Sequence, residues 1–131
     1  MTWDDTWEPT PELVREVLEV VGTIPAGKVM TYGDVADAIG PHPGFGAVDG
    51  PFVARMVGRV MQHHGSDVAW WRVIRSTGHP PRFLEARAWP YYVEERTPVL
   101  GSGDDYRIDL KRARFVAGEE TSTQASLFDL P

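Results

Sequence analysis

Three amphipathic stretches, lying within residues 11 to 64 and separated by glycine and proline, constrain this chain more than any other feature. The first opens with Thr10-Pro11-Glu12, an N-cap followed by proline at the first helical position and an acid in the first turn. Leu13, Val17 and Val21 recur at four-residue spacing, as do Val14 and Leu18, so the spacing predicts a helix over 11–21, stopped by Gly22. A turn with Pro25 and Gly27 follows. Thr31-Tyr32-Gly33-Asp34 is a shortened capping box that opens a second, short helix through Val35, Ala36 and Ile39, closed by Gly40. Residues 40–51 carry four glycines and three prolines and read as a loop. The third stretch, 51–64, places Val53, Val57, Val60 and Met61 on a buried stripe, with Arg55, Arg59 and Gln62 on another face. Glycine inside a helix costs about 1 kcal/mol relative to alanine, so Gly58 marks a close approach by another backbone or by a ligand.

Beyond the helices, 71–74, the turn Ser76-Thr77-Gly78 and 82–84 are expected to form a β-hairpin. Residues 85–103 read as irregular, with Trp89, Pro90, Tyr91 and Tyr92 partly buried. A last amphipathic helix is expected over 104–117, carrying Ile108, Leu110 and Phe115. Helix, turn, short helix, loop, helix and hairpin is the order of a winged helix-turn-helix DNA-binding domain, mainly α with a small β-hairpin. One such domain over 1–117 and a flexible tail over 118–131 account for the chain, with no internal repeat.

Charge supports the same direction. Residues 1–50 hold nine acids and two bases, whereas 51–87 hold six arginines (Arg55, Arg59, Arg72, Arg75, Arg82, Arg87) against Asp67 and Glu85. The net charge of −6 argues against non-specific coating of nucleic acid, but a local arginine island suits an anion-binding face. By composition alone, a face neutralised by neighbouring acids explains it equally well. Its coincidence with the expected recognition helix and wing favours DNA. One rival is a winged-helix transcription regulator that reads undamaged DNA by sequence. Another is an enzyme with a serine nucleophile, but neither Ser66 nor Ser76 has a recognisable activating base.

The run from 24 to 36 that contains Pro25-Ala26-Gly27-Lys28 and Thr31-Tyr32-Gly33-Asp34-Val35-Ala36, followed by Ala54-Arg55-Met56-Val57-Gly58, resembles the DNA-binding domain of O6-alkylguanine-DNA alkyltransferases. The resemblance extends over residues 11 to 83. Ala69-Trp70-Trp71-Arg72-Val73 aligns with that family's Pro-Cys-His-Arg-Val, so Trp70 stands where the family carries its alkyl-accepting cysteine. The whole chain contains no cysteine. This pattern is similar to the alkyltransferase-like proteins, which carry tryptophan or alanine there and bind lesions without repairing them.

The resemblance implies a non-enzymatic sensor that binds O6-alkylguanine in duplex DNA, flips the base and flags it for nucleotide excision repair. It implies DNA contacts by Tyr32, Ala54, Arg55, Gly58, Arg59 and Arg72, and a lesion pocket of Tyr32, Trp70, Trp71 and Val73. Tyr32 matches the tyrosine that presses on the phosphate beside the target nucleotide. Arg55 matches the arginine that fills the gap left by the flipped base. Ala54 and Gly58 match small positions where the helix meets the minor groove. Three departures stand out. Ala69 replaces proline, Trp71 replaces histidine, and the loop over 41–52 is about nine residues longer than usual, an insertion that a surface loop tolerates.

No cofactor and no metal site are expected, since the adjacent His63 and His64 cannot both face one ion from a helix. The chain is expected to be a cytoplasmic monomer: its acidic N-terminus is no secretory signal and no apolar run is long enough for a membrane. The tail ends in Gln124-Ala125-Ser126-Leu127-Phe128, which resembles the motif that docks bacterial repair proteins on the sliding clamp. Gln124, Ser126, Leu127 and Phe128 would make that contact. Alternatively, the apolar pair folds back on this domain.

Overall fold

The computed structural model describes residues 8–42 and 51–116, which include helices, two small sheets and short 3-10 turns. Helix α1 (Pro11–Gly22) starts where Thr10 Oγ1 accepts the Leu13 N–H at 3.1 Å, and it buries Leu13, Val17 and Val21. Strand β1 (Met30–Thr31) runs directly into α2 (Tyr32–Ile39). The Thr31 side chain accepts the Asp34 N–H at 3.0 Å, and Asp34 Oδ2 accepts the Thr31 N–H at 3.1 Å, which completes the capping box. Gly40 closes α2 at φ 74°. Helix α3 (Pro51–His64) covers the predicted span and buries Val57, Val60 and Met61 as expected, while Val53 is only half-buried and Met56 is buried in addition.

Strand β1 pairs in parallel with β2 (Val73–Ile74), Met30 opposite Val73 and Thr31 opposite Ile74. On the other side of this segment, the Val29 N–H donates to the Ala113 carbonyl at 2.9 Å, and the Phe115 N–H donates to the Val29 carbonyl at 2.8 Å. The strands' period of two separates two cores. Met30 and Val73 face the core of α1, α2 and α3, while Val29 and Ile74 face a second core with Ala88, Tyr92, Tyr106, Ile108 and Ala113.

The second half departs from the sequence reading in three places. Val73–Ile74 joins β1 and does not form a hairpin with 82–84. The turn at 76–78 does form, with the Gly78 N–H donating to the Arg75 carbonyl, but Pro80 and Pro81 lack ladder donors and Phe83 sits at φ 68°, outside any strand conformation. The antiparallel ribbon is instead β3 (Val99–Leu100) with β4 (Arg107–Ile108). Residues 85–103 are not irregular: α4 (Glu85–Glu95) occupies most of them. Pro90 lies within this helix on its exposed side, where water can serve the carbonyl left without a donor. The helix expected over 104–117 is only α5 (Leu110–Ala113). Tyr106 and Ile108 are both buried, two residues apart, which is the strand period.

The C-terminal segment is fastened to α2 by charge. Arg114 donates from Nε to Asp34 Oδ2 at 2.9 Å and from Nη2 to Oδ1 at 2.6 Å. Burial works against the charged form of Asp34, but the bonds from Arg114 and Thr31 outweigh it and hold the carboxyl below its usual range. Asp34→Ala removes a cap and a bidentate ion pair together. It should lower unfolding free energy by about 1–2 kcal/mol, read as a shift of the urea midpoint at unchanged slope. An unshifted midpoint would show that the capping box contributes nothing.

Candidate nucleic-acid interface

The central element is a 3-10 turn, Trp70–Arg72, that leads into β2. Helix α4 backs it with one face. Arg87, Tyr91 and Glu95, at four-residue spacing, meet Trp70, Trp71 and Arg72 in that order. The Arg87 guanidinium carbon lies 5.9 Å from the centre of the Trp70 ring. The Tyr91 ring stacks on Trp71 at 3.8 Å with an interplanar angle of 11°, and meets Trp70 edge-on at 5.9 Å. From the next position, the Tyr92 hydroxyl donates to the Trp71 carbonyl at 2.6 Å.

The Arg72 side chain is engaged inside the protein. Its Nε donates to Glu95 Oε1 at 3.1 Å, its Nη2 to Glu95 Oε2, and its Nη1 to the Ile24 carbonyl at 2.8 Å. Glu95 Oε1 also accepts the Gly27 N–H at 3.2 Å. Gly27 has φ 84°, and a Cβ there would come within 3.0 Å of the Glu95 carbonyl oxygen, so the turn after α1 needs glycine to reach α4. Burial disfavours the Glu95 carboxylate. Hydrogen bonds from Arg72 and Gly27 outweigh that penalty, aided by the Trp71 indole N–H, which lies near but short of hydrogen-bond geometry. The Glu95 carboxyl therefore titrates below its usual range.

Arg72 was expected on DNA; its guanidinium instead joins α4 to the turn after α1. Val73 was expected to line the pocket, but its side chain is fully buried in the first core. The other expected positions are accessible. Tyr32, Ala54, Gly58, Trp70 and Trp71 are half-buried, and Arg55 is exposed. The Arg59 side chain lies on α3 at intermediate exposure. Gly58 was expected to mark a close approach by another backbone or by a ligand; instead a Cβ built there would meet the Tyr32 ring carbons at 3.9 Å, an ordinary van der Waals contact. This contact seats the Tyr32 ring against α3. Burial raises the Tyr32 pKa and the nearby Arg75 charge opposes the rise; on balance it stays above its usual value, leaving a protonated hydroxyl able to donate.

Four residues of this region were given no site role by the sequence reading: Arg75 and Arg87, counted only in the arginine island, Tyr91, read only as partly buried, and Glu95, not singled out. Arg75 donates to the Pro80 carbonyl at 2.8 Å and to Glu85 Oε2 at 3.3 Å, tying the 75–80 turn to the start of α4. The arginine island is thus partly neutralised by acids, through Glu85 and Glu95. The available signal was the spacing of Ala88 and Tyr92, which outlines a helix across Pro90. The clamp-like motif of Gln124, Ser126, Leu127 and Phe128, and positions 43–50 of the long loop, lie outside the described residues. Among the described residues, no group of three His, Asp or Glu could hold a metal ion, and no helix is long and apolar enough to cross a membrane.

The sequence profile of the 6-O-methylguanine DNA methyltransferase DNA-binding domain matches residues 12–96. The chain belongs to this family. The match extends past residue 83 and takes in the whole of α4, so that helix is part of the methyltransferase-type domain. A DNA base-flipping protein of Escherichia coli is 32% identical over 119 residues, covering 86% of this chain and 81% of that protein. The Vibrio parahaemolyticus protein of the same name is 38% identical over 69 residues, which span 60% of its length. Alkyltransferase-like protein 1 of Schizosaccharomyces pombe is 39% identical over 69 residues, 51% of this chain and 56% of that one. Crystal structures of the S. pombe alkyltransferase-like protein superpose at 29% identity. The complex with DNA gives a TM-score of 0.63, and the complex with DNA containing O6-carboxymethylguanine gives 0.65. Each covers 82% of this chain and 98% of that one. The fold is therefore the mainly helical winged helix-turn-helix arrangement of this family.

The Glu95 geometry sets the acid response. A carboxyl with a lowered folded pKa contributes stability above its ordinary value of about 4.5, and loses it as pH falls through the lower folded value. Glu95→Gln should unfold at lower denaturant than wild type at pH 7, and its stability should fall less steeply between pH 5 and 3. Asp34, whose carboxyl is also held below its usual range, contributes to the slope that remains. Parallel pH profiles for the two proteins would contradict a stabilising Arg72–Glu95 pair.

Proposed function

We propose that this protein is a non-enzymatic sensor of alkylated guanine in duplex DNA. The observation that carries the reading is Trp70. By its resemblance to the family motif it stands where the acceptor cysteine would be, the residue is half-buried, and no cysteine exists anywhere in the 131 residues. Alkyl acceptance needs a thiolate nucleophile, and this chain has none. An indole at that point instead offers an apolar, π-rich wall to the alkyl group.

The remaining parts fit base extrusion. Unstacking a nucleotide costs a few kcal/mol, offset by a lever on the backbone and a wedge in the stack. Tyr32, held against Gly58 at the start of α2, supplies the lever with a protonated hydroxyl beside the phosphate. Arg55, exposed on α3, supplies a planar guanidinium to occupy the gap and hydrogen-bond the orphaned base. Ala54, Gly58 and Arg59 form the adjoining surface of that helix. The names of the relatives, base-flipping and alkyltransferase-like proteins, support this assignment, as do structural neighbours bound to DNA.

In this reading the protein works as a monomer in the cytoplasm and hands the lesion to nucleotide excision repair. Gln124, Ser126, Leu127 and Phe128 tether it to the sliding clamp. Deleting residues 124–131 should abolish capture by the clamp and leave DNA affinity unchanged.

Equilibrium binding to one duplex, with and without a single O6-methylguanine, tests the function. The lesion duplex should bind more tightly, and equal affinities would sink the reading in favour of a sequence-reading regulator. Trp70→Ala should reduce affinity for the lesion duplex by about tenfold while hardly changing that for the undamaged one. Arg55→Ala should weaken lesion binding more than Arg87→Ala does; comparable losses would misplace the recognition helix.

A further inference from the structure

The proposed function assigns a role to Trp70 but not to the ring cluster that surrounds it. Trp70 and Trp71 meet edge-on, with centroids 5.7 Å apart at 87°. Tyr91 closes the group by stacking on Trp71 and meeting Trp70 edge-on. Unlike Tyr92, which is buried and bonded through its hydroxyl, Tyr91 is 39% exposed. Tyr91 belongs to neither core, and the rings it meets are the two indoles of the turn. The backbone of the turn is already fixed by Tyr92 and Arg72. These bonds do not set the side-chain torsions of Trp70 and Trp71; the second core packs against both indoles, Arg87 lies over Trp70 and Arg72 over Trp71, and Tyr91 adds a ring contact to each indole at once.

We propose that Tyr91 is a positioning residue for lesion recognition: by stacking on Trp71 and bracing Trp70, it fixes the Trp70 indole in the orientation that receives the alkyl group. The inference rests on the assignment of Trp70 as pocket wall. A freely rotating indole would have to be ordered on each binding event, and the cost of ordering would come out of the affinity for the lesion. A ring held in advance avoids that cost. Undamaged DNA places no base against Trp70, so its affinity does not depend on Tyr91. The tyrosine therefore acts on discrimination between damaged and undamaged duplex, not on DNA binding as such.

The test compares Tyr91→Ala and Tyr91→Phe with wild type in the full chain. The first readout is the ratio of affinities for O6-methylguanine and undamaged duplexes. The second is fluorine NMR of 5-fluorotryptophan-labelled protein without DNA, with the Trp70 resonance assigned through Trp70→Phe. Tyr91→Ala should lower the affinity ratio about threefold to tenfold, the range of an aromatic pair, and should shift or split the Trp70 resonance. Tyr91→Phe keeps the stack and should match wild type in both. A Trp70 resonance unmoved in Tyr91→Ala, an unchanged ratio, or failure of phenylalanine to restore both would each overturn the proposal. If wild type itself shows no lesion preference, the function assigned to Trp70 fails, while the resonance still decides whether Tyr91 positions the ring.

Discussion

The Arg72–Glu95 ion pair is the interaction on which the site depends. It lies mostly out of water, with side-chain exposures of 20% and 12%, and a buried pair is stabilising only when its remaining hydrogen-bond capacity is met. Here the guanidinium fork divides between the carboxylate and the Ile24 carbonyl, and the carboxylate takes a further bond from the Gly27 N–H. One pair thereby ties together three segments far apart in sequence: the turn after α1, the Trp70–Arg72 turn and the end of α4. Lysine could not replace Arg72, because an ammonium is a point charge without the planar fork.

Around that anchor, chemistry and architecture divide the work. The first core holds α2 against α3, so that Tyr32 and the outer face of α3 adjoin through Gly58. The second core holds α4 and the β3–β4 ribbon behind the turn. Trp70 packs against both cores, which places it at their junction. A cysteine at such a point would be a reactive group in a rigid frame. Under the proposed function, a tryptophan there serves recognition, because it adds surface and supplies no nucleophile.

How far all this was legible in the sequence follows from the range of the interactions involved. The caps at Thr10 and Thr31 and the stripe of α3 depend on neighbours three or four residues away, and the structure reproduces them. Gly58 was read as a close approach by a backbone or ligand, whereas the fold puts the Tyr32 ring there at ordinary contact distance. By contrast, α4 was hidden by Pro90, whose local penalty is overridden by burial of Ala88 and Tyr92. The pairing of β2 with β1 spans more than forty residues and is parallel, so no turn signal announces it. Arg72 looked available because its partner lies 23 residues further on, in a segment not recognised as helix. Val73 was placed in the pocket by its neighbours in the motif, yet strand alternation turns it into the core.

The most direct test of recognition without transfer is to isolate the complex with a duplex containing one O6-methylguanine and measure the intact masses of both released partners. The account predicts a recoverable complex, protein of unaltered mass and DNA that keeps its methyl group. Protein that had gained the methyl, or damaged duplex that formed no more complex than its undamaged counterpart, would contradict it.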